Sequence, residues 1–113
     1  SHPSIVIWSL YNEDWGAEDI RTNPETRRYI ASTFDWMRTR VPQVLVVDND
    51  GWNHVSRYGR LKSHLLTAHI YTPDAEAWTS ALDRLISGDI ETVAAQPLTV
   101  GDPYFYRGQA PLV

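Results

Sequence analysis

Three apolar runs punctuate the chain, and each ends abruptly in polar residues. The first, Ser4-Ile5-Val6-Ile7-Trp8-Ser9-Leu10, shows almost no alternation. That is the pattern of a strand buried on both faces, as in parallel sheets covered by helices. Polarity then flips at Tyr11-Asn12-Glu13-Asp14-Trp15-Gly16. The second run, Gln43-Val44-Leu45-Val46-Val47-Asp48, opens into the polar cluster Asn49-Asp50-Gly51-Trp52-Asn53-His54. The third is Leu65 to Tyr71, in which His69 and Tyr71 stand two apart and so point the same way. Between the first two runs, Asn23-Pro24-Glu25 marks a helix start, with Asn23 as N-cap and Pro24 at the first helical position. The helix is predicted from Pro24 to about Arg40. Ile30, Phe34, Met37 and Val41 form its buried face, Tyr29, Thr33 and Trp36 broaden it, and Pro42 stops it.

Strand, helix and strand at this spacing make a βαβ unit, which implies parallel strands and a right-handed crossover. The predicted fold class is therefore α/β, with parallel strands and flanking helices. Glu13, Asp48, Asn49 and Asp50 fall at one carboxyl edge, where such folds hold their active sites.

The remaining segments are less patterned. Val55 to Ser63 reads as a basic connector containing Arg57, Arg60 and Lys62. Thr72-Pro73-Asp74 begins a second helix, capped by Thr72, with Ala75, Trp78, Leu82, Leu85 and Ile86 as its buried face and Gly88 as its stop. Asp89 to Val113 is irregular and punctuated by Pro97, Gly101, Pro103, Gly108 and Pro111. Tyr104-Phe105-Tyr106 is expected to pack over helix ends, and Gln109 to Val113 resembles the entry to another strand.

Composition narrows the function. The 113 residues suit one domain, and they carry a formal charge of -4. Nothing favours a polyanionic partner such as nucleic acid, which needs clustered Lys and Arg. Arg27, Arg28, Arg38 and Arg40 read as the solvated side of the first helix. The absence of Cys excludes a disulfide scaffold and a thiolate metal site. No apolar run approaches the ~20 residues that span a bilayer, and no signal peptide is visible, so a membrane partner is not expected. The compartment stays open, cytoplasmic or secreted. The Asp48-Asn49-Asp50-Gly51 stretch has the chemistry of a turn by itself. It lacks the 12-residue calcium-loop pattern, and no third ligand joins His54 and His69 at zinc spacing. No cofactor is expected.

The first run and its polar end carry a more specific signal. His2-Pro3-Ser4-Ile5-Val6-Ile7-Trp8-Ser9-Leu10-Tyr11-Asn12-Glu13 resembles the fourth strand of the catalytic barrel of glycoside hydrolase family 2, the β-galactosidase, β-glucuronidase and β-mannosidase group. The likeness recurs at Asn49-Asp50-Gly51-Trp52 with His54, and at Leu66-Thr67-Ala68-His69-Ile70-Tyr71-Thr72, which are similar to the family's fifth and sixth strands. The resemblance implies a partial (β/α)8 TIM barrel covering about strands four to six. It makes Glu13 the general acid/base and Asn12 the ligand of the sugar 2-hydroxyl. It turns His69 and Tyr71 toward the sugar, and lines the pocket with Asp50, Trp52 and His54. A lone strand histidine is more often a satisfied core residue.

Retaining hydrolysis needs two carboxylates about 5–5.5 Å apart, a protonated acid with a raised pKa and an ionised nucleophile. In the family the nucleophile lies in a Glu-Phe-Gly or Glu-Tyr-Gly context, and the sequence ends before any such segment. The expectation is a fragment that carries the acid/base, lacks the nucleophile and is inactive alone. Its partners would be a carbohydrate substrate and either the rest of the barrel or further copies of itself, because a partial barrel leaves strand edges open. Two rival readings need no Glu13. One is a non-catalytic carbohydrate-binding α/β domain using Trp15, Trp52 and Tyr71 as stacking platforms. The other, a flavodoxin-like domain, lacks a Gly-rich phosphate loop after the first strand.

Overall fold

The computed structural model describes residues 4–72, 74–87, 99–102, 110–111 and 113. The predicted helix stop at Gly88, the aromatic group Tyr104-Phe105-Tyr106 and the helix-start residue Pro73 lie outside the described residues.

The first half folds as the pattern predicts. Strand β1, Ile7–Asn12, pairs in parallel with β2, Leu45–Asp50, in a register that sets Ile7 against Leu45 and Asn12 against Asp50. Helix α1, Pro24–Arg40, links them. The Asn23 side chain accepts the Glu25 N–H at 2.9 Å, which satisfies one of the amides that a helix start leaves without a partner. Ile30, Ala31 and Phe34 bury its inner face, and Ile30 and Ala31 join Ala17, Ile20 and Val55 in the core. Tyr29 and Trp36 do not broaden that face. Both are mostly exposed, and Trp36 lies under the Arg40 guanidinium. The stripe is sealed by Ile30, Ala31 and Phe34.

β1 is also not buried on both faces. Val6, Ile7 and Trp8 are all more than 40 % exposed. Among the described residues β1 has a partner on only one edge, β2.

The second half departs from the reading in three ways. The expected connector is a hairpin. Strand β3, His54–Arg57, pairs antiparallel with β4, Arg60–Leu61, across a turn in which Tyr58 and Gly59 both take positive φ. β3 also pairs in parallel with β5, Thr99–Gly101, inside the segment expected to be irregular. The third apolar run forms no regular strand, yet it lies alongside β2. The His64 N–H donates to Val46 O at 2.9 Å and the His69 N–H to Gly51 O at 3.2 Å, so five residues advance on each side in the same direction. On its far side Leu66 donates to Pro111 O and accepts from the Val113 N–H, the slanted pattern of a parallel pair. Between these anchors side chains replace the ladder. The His64 ring accepts the Val46 N–H at 2.8 Å, and the Thr67 hydroxyl accepts the Gly51 N–H at 2.7 Å.

Helix α2, Ala75–Ile86, is capped by Asp74, whose carboxylate accepts the Ala77 N–H at 2.7 Å, and not by Thr72. The face expected to be buried is open, with Trp78, Leu82 and Ile86 exposed. Among the described residues no helix is long and apolar enough to cross a membrane.

Candidate functional site

Three chain segments deliver polar side chains to one rim: the end of β1, the end of β2 and the end of the extended run 64–71. The Glu13 N–H continues the β1–β2 pairing by one step, donating to Asp50 O at 2.9 Å. The backbone then turns sharply. Glu13 and Asp14 adopt φ of 51° and 63°, the left-handed region that non-glycine residues enter only at a cost.

A buried polar network holds them there. The Asp14 N–H donates to Asn49 Oδ1 at 3.1 Å, while the Asp14 carboxylate accepts one side-chain amide from Asn49 and one from Asn53, each at 2.5 Å. Asn49 also reaches the Asn53 carbonyl at 3.2 Å, and both asparagines are fully buried. The turn closes with the Trp15 N–H on Asn12 O at 2.9 Å. The strain at Glu13 is thus maintained from beneath, through the residue that follows it.

From above, two side chains of the third segment grip the Glu13 carboxylate. His69 Nδ1 lies 2.7 Å from Oε1, and the Tyr71 hydroxyl donates to the same oxygen. A carboxylate only accepts, so the imidazole proton sits on Nδ1. The other ring nitrogen of His69 is 3.7 Å from the Asp50 carboxylate. The ring reaches this place because residue 51 is glycine. Gly51 has φ +86°, and a Cβ there would fall 2.4 Å from the imidazole. The hydrogen bond from Tyr71, then the one from His69, pull the Glu13 pKa below the usual carboxylate value, against a smaller opposing effect of desolvation. Donation to Glu13, first, and partial burial push the Tyr71 phenol up.

The sequence reading turned His69 and Tyr71 toward a sugar; the structure sets them on the carboxylate itself. Asn12 sits exposed at the end of β1, opposite Asp50. Trp52 is half-buried and shares a cleft of about 270 Å³ with Glu13, Asp14, Trp15 and Glu18.

His54 is not in the pocket, and its expected lining role is corrected here. It is fully buried, with Nδ1 2.6 Å from Asp48 Oδ1, while Nε2 lies 3.1 Å from Thr67 O, to which it donates when protonated, and 3.0 Å from the Thr67 N. β3 is buried from His54 through Ser56, and Asp48 beside it also accepts the Val55 N–H at 2.5 Å. Burial is the largest influence on His54 and lowers its pKa. The Asp48 charge and hydrogen bond, the Thr67 backbone and the Asp50 charge together outweigh it, and the pKa is raised. His54 therefore ties β2 and β3 to the segment that carries His69.

The residues missed by the sequence reading are Asp14, Asn53 and Thr67, the supports of the rim. Their one signal was the density of amides and carboxylates directly after each apolar run. Among the described residues no group of three or more His, Asp and Glu side chains could hold a metal ion.

Comparison with protein-family models, with curated proteins and with solved structures finds no match to the chain.

Proposed function

We propose that this chain carries the general acid/base of a retaining glycoside hydrolase acting on β-glycosidic bonds, on part of a (β/α)8 barrel. One observation carries the reading. Glu13 stands at the carboxyl end of a parallel strand in strained backbone, its carboxylate gripped by His69 and Tyr71 at an open rim. Strain so fully supported belongs to positions where a side chain must be aimed.

In this mechanism Glu13 protonates the leaving oxygen and then takes a proton from water, while Asn12 meets the sugar 2-hydroxyl. Asp50 does not supply the nucleophile, because the His69 imidazole stands between it and Glu13. The nucleophile is a carboxylate outside the described residues. Its charge, about 5–5.5 Å away, would raise the Glu13 pKa by like-charge repulsion and keep the acid protonated. Without it Glu13 stays ionised, and the chain alone turns over no glycoside.

Calorimetry with a cationic iminosugar tests this. The cation binds the ionised Glu13, and Glu13→Gln weakens binding by at least about tenfold, the loss of one charge-assisted hydrogen bond. Binding indifferent to Glu13→Gln would sink the assignment. Turnover of aryl β-galactosides or β-glucuronides that is lost on Glu13→Gln would place the nucleophile inside this chain. The low pKa of Glu13 and the tryptophan-walled cleft favour one rival, carbohydrate binding without cleavage; that reading predicts glycoside binding unchanged by Glu13→Gln.

A further inference from the structure

The cleft beside Glu13 has a composition distinct from the rim. Trp15 is 73 % exposed and faces it with Trp52, Glu13, Asp14 and Glu18. Exposing an indole so fully leaves a large apolar area in water, and such surfaces usually mark binding sites. The backbone that carries Trp15 is held in place. It sits one residue after the Asp14 anchor, its N–H is bonded to Asn12 O, and the next N–H, of Gly16, donates to Glu18 Oε1 at 3.1 Å. Among the described residues no ring or guanidinium stacks on either indole. Glu13 is shared between this cleft and the grip of His69 and Tyr71, whereas His69, Tyr71 and Asn12 do not line the cleft. Glu13 is thus the residue common to the polar grip and the aromatic trough.

Resting on the glycosidase reading, we infer that Trp15 and Trp52 form the subsite for the group leaving with the glycosidic oxygen, and that this group is a neutral ring, a second sugar or an aryl aglycone. An acid must lie against the leaving oxygen, so the cleft that shares Glu13 but not Asn12, His69 or Tyr71 is where the departing group sits. At about 270 Å³ the trough has room for a single ring. Its lining carries Glu13, Asp14 and Glu18 and no Lys or Arg, so a leaving group bearing a carboxylate is repelled. The bond from its own backbone N–H, then the one from Gly16, lower the Glu18 pKa.

Nuclear magnetic resonance titration tests the subsite, with phenyl and methyl β-D-galactosides, β-D-glucosides and β-D-mannosides as probes. Phenyl glycosides should shift the Trp15 and Trp52 indole N–H signals, and methyl glycosides should shift Asn12, His69 and Tyr71 but neither indole. Trp15→Ala should weaken the phenyl glycoside about fivefold and leave its methyl counterpart unchanged; 4-carboxyphenyl β-D-galactoside should bind at least about tenfold more weakly than the phenyl compound. Trp15 is exposed, so its replacement leaves the fold intact. Indoles untouched by every phenyl glycoside, or equal weakening of phenyl and methyl ligands by Trp15→Ala, would overturn the subsite. Phenyl groups stacking on both indoles while no glycoside moves Asn12, His69 or Tyr71 would leave the aromatic subsite standing and remove the glycosidase reading.

Discussion

Asp14→Asn is the substitution that separates the support of the rim from the rim itself. The two side chains have the same shape, and both tolerate positive φ, so the φ of 63° is not what changes. What changes is the pairing. Each Asp14 carboxylate oxygen accepts one amide, from Asn49 and from Asn53. An asparagine offers one oxygen and one NH2 group, so in either orientation a donor meets a donor. One charge-assisted bond disappears, about 1.5–3 kcal/mol, and a buried amide is left unpaired, about 1–3 kcal/mol. The total is about 2.5–6 kcal/mol, a large part of the roughly 5–15 kcal/mol that holds a small domain together. With a urea slope of about 1–3 kcal/mol per molar, the unfolding midpoint should fall by at least about 0.8 M. Trp15→Ala, one residue on, is the control; its side chain is exposed and should shift stability by no more than about 0.5 kcal/mol. Urea titration followed by circular dichroism measures both. A midpoint for Asp14→Asn within about 0.3 M of wild type would refute the claim that this network holds the turn.

Four further outcomes follow from the same contacts. Tyr71→Phe removes the largest influence lowering the Glu13 pKa, so a carboxyl-detected titration should show that pKa rising toward the ordinary value; an unchanged one would mean the hydroxyl is not on Glu13. Gly51→Ala places a Cβ where the His69 ring lies and should displace the imidazole, read as loss of the Glu13-dependent shift of the His69 ring protons. The raised His54 pKa means the folded state binds the proton more tightly, so the stability it adds is fully present below pH 6.5 and disappears as pH climbs through the folded value. The gap in urea midpoint between wild type and Asp48→Asn should therefore narrow from pH 6 to pH 9, and a constant gap would argue against the His54–Asp48 coupling. The exposed apolar side chains Val6, Ile7 and Trp8 at β1 should drive self-association, and Trp8→Lys should shift light-scattering mass toward the monomer; a wild-type chain that is monomeric at all concentrations contradicts this.

The βαβ unit was legible because its signals are local. Asn23-Pro24 starts α1, Pro42 ends it, and unbroken apolar runs flank it, so element type and parallel direction follow from neighbours in sequence. The hairpin of β3 and β4 was not, because His54–Arg57 is held by pairing with Thr99–Gly101 more than forty residues away, and its own composition is basic and unpatterned. His54 shows the same limit in a side chain. A histidine near a rim can face solvent or core, and the choice was made by Asp48 and by Thr67, thirteen residues on. The buried faces assigned to β1 and α2 failed for a different reason. Their apolar pattern is real, but a pattern states what a surface would bury, not whether the described chain supplies its cover. The place of Asn12 and Glu13 at the end of β1 followed from strand context, and only their resemblance to a family motif suggested roles; the grip on Glu13 needed the geometry of three segments at once.

That grip also decides in which ionisation state the proposed acid waits. A general acid has to be protonated when the leaving group departs, yet Tyr71 and His69 both donate to Glu13 and favour its charge. The two facts fit if the donors serve the second half of the reaction, in which the same carboxylate accepts a proton from water. A neighbouring nucleophile carboxylate raises the Glu13 pKa while it is ionised. Once it is spent in a covalent glycosyl intermediate its charge is gone, the pKa falls, and the carboxylate held by Tyr71 and His69 is the base that hydrolysis requires. On this account the isolated chain displays the base form. Bringing a second carboxylate to about 5–5.5 Å from Glu13 should raise its pKa, and a carboxyl titration that stays low with such a group in place would refute the cycle.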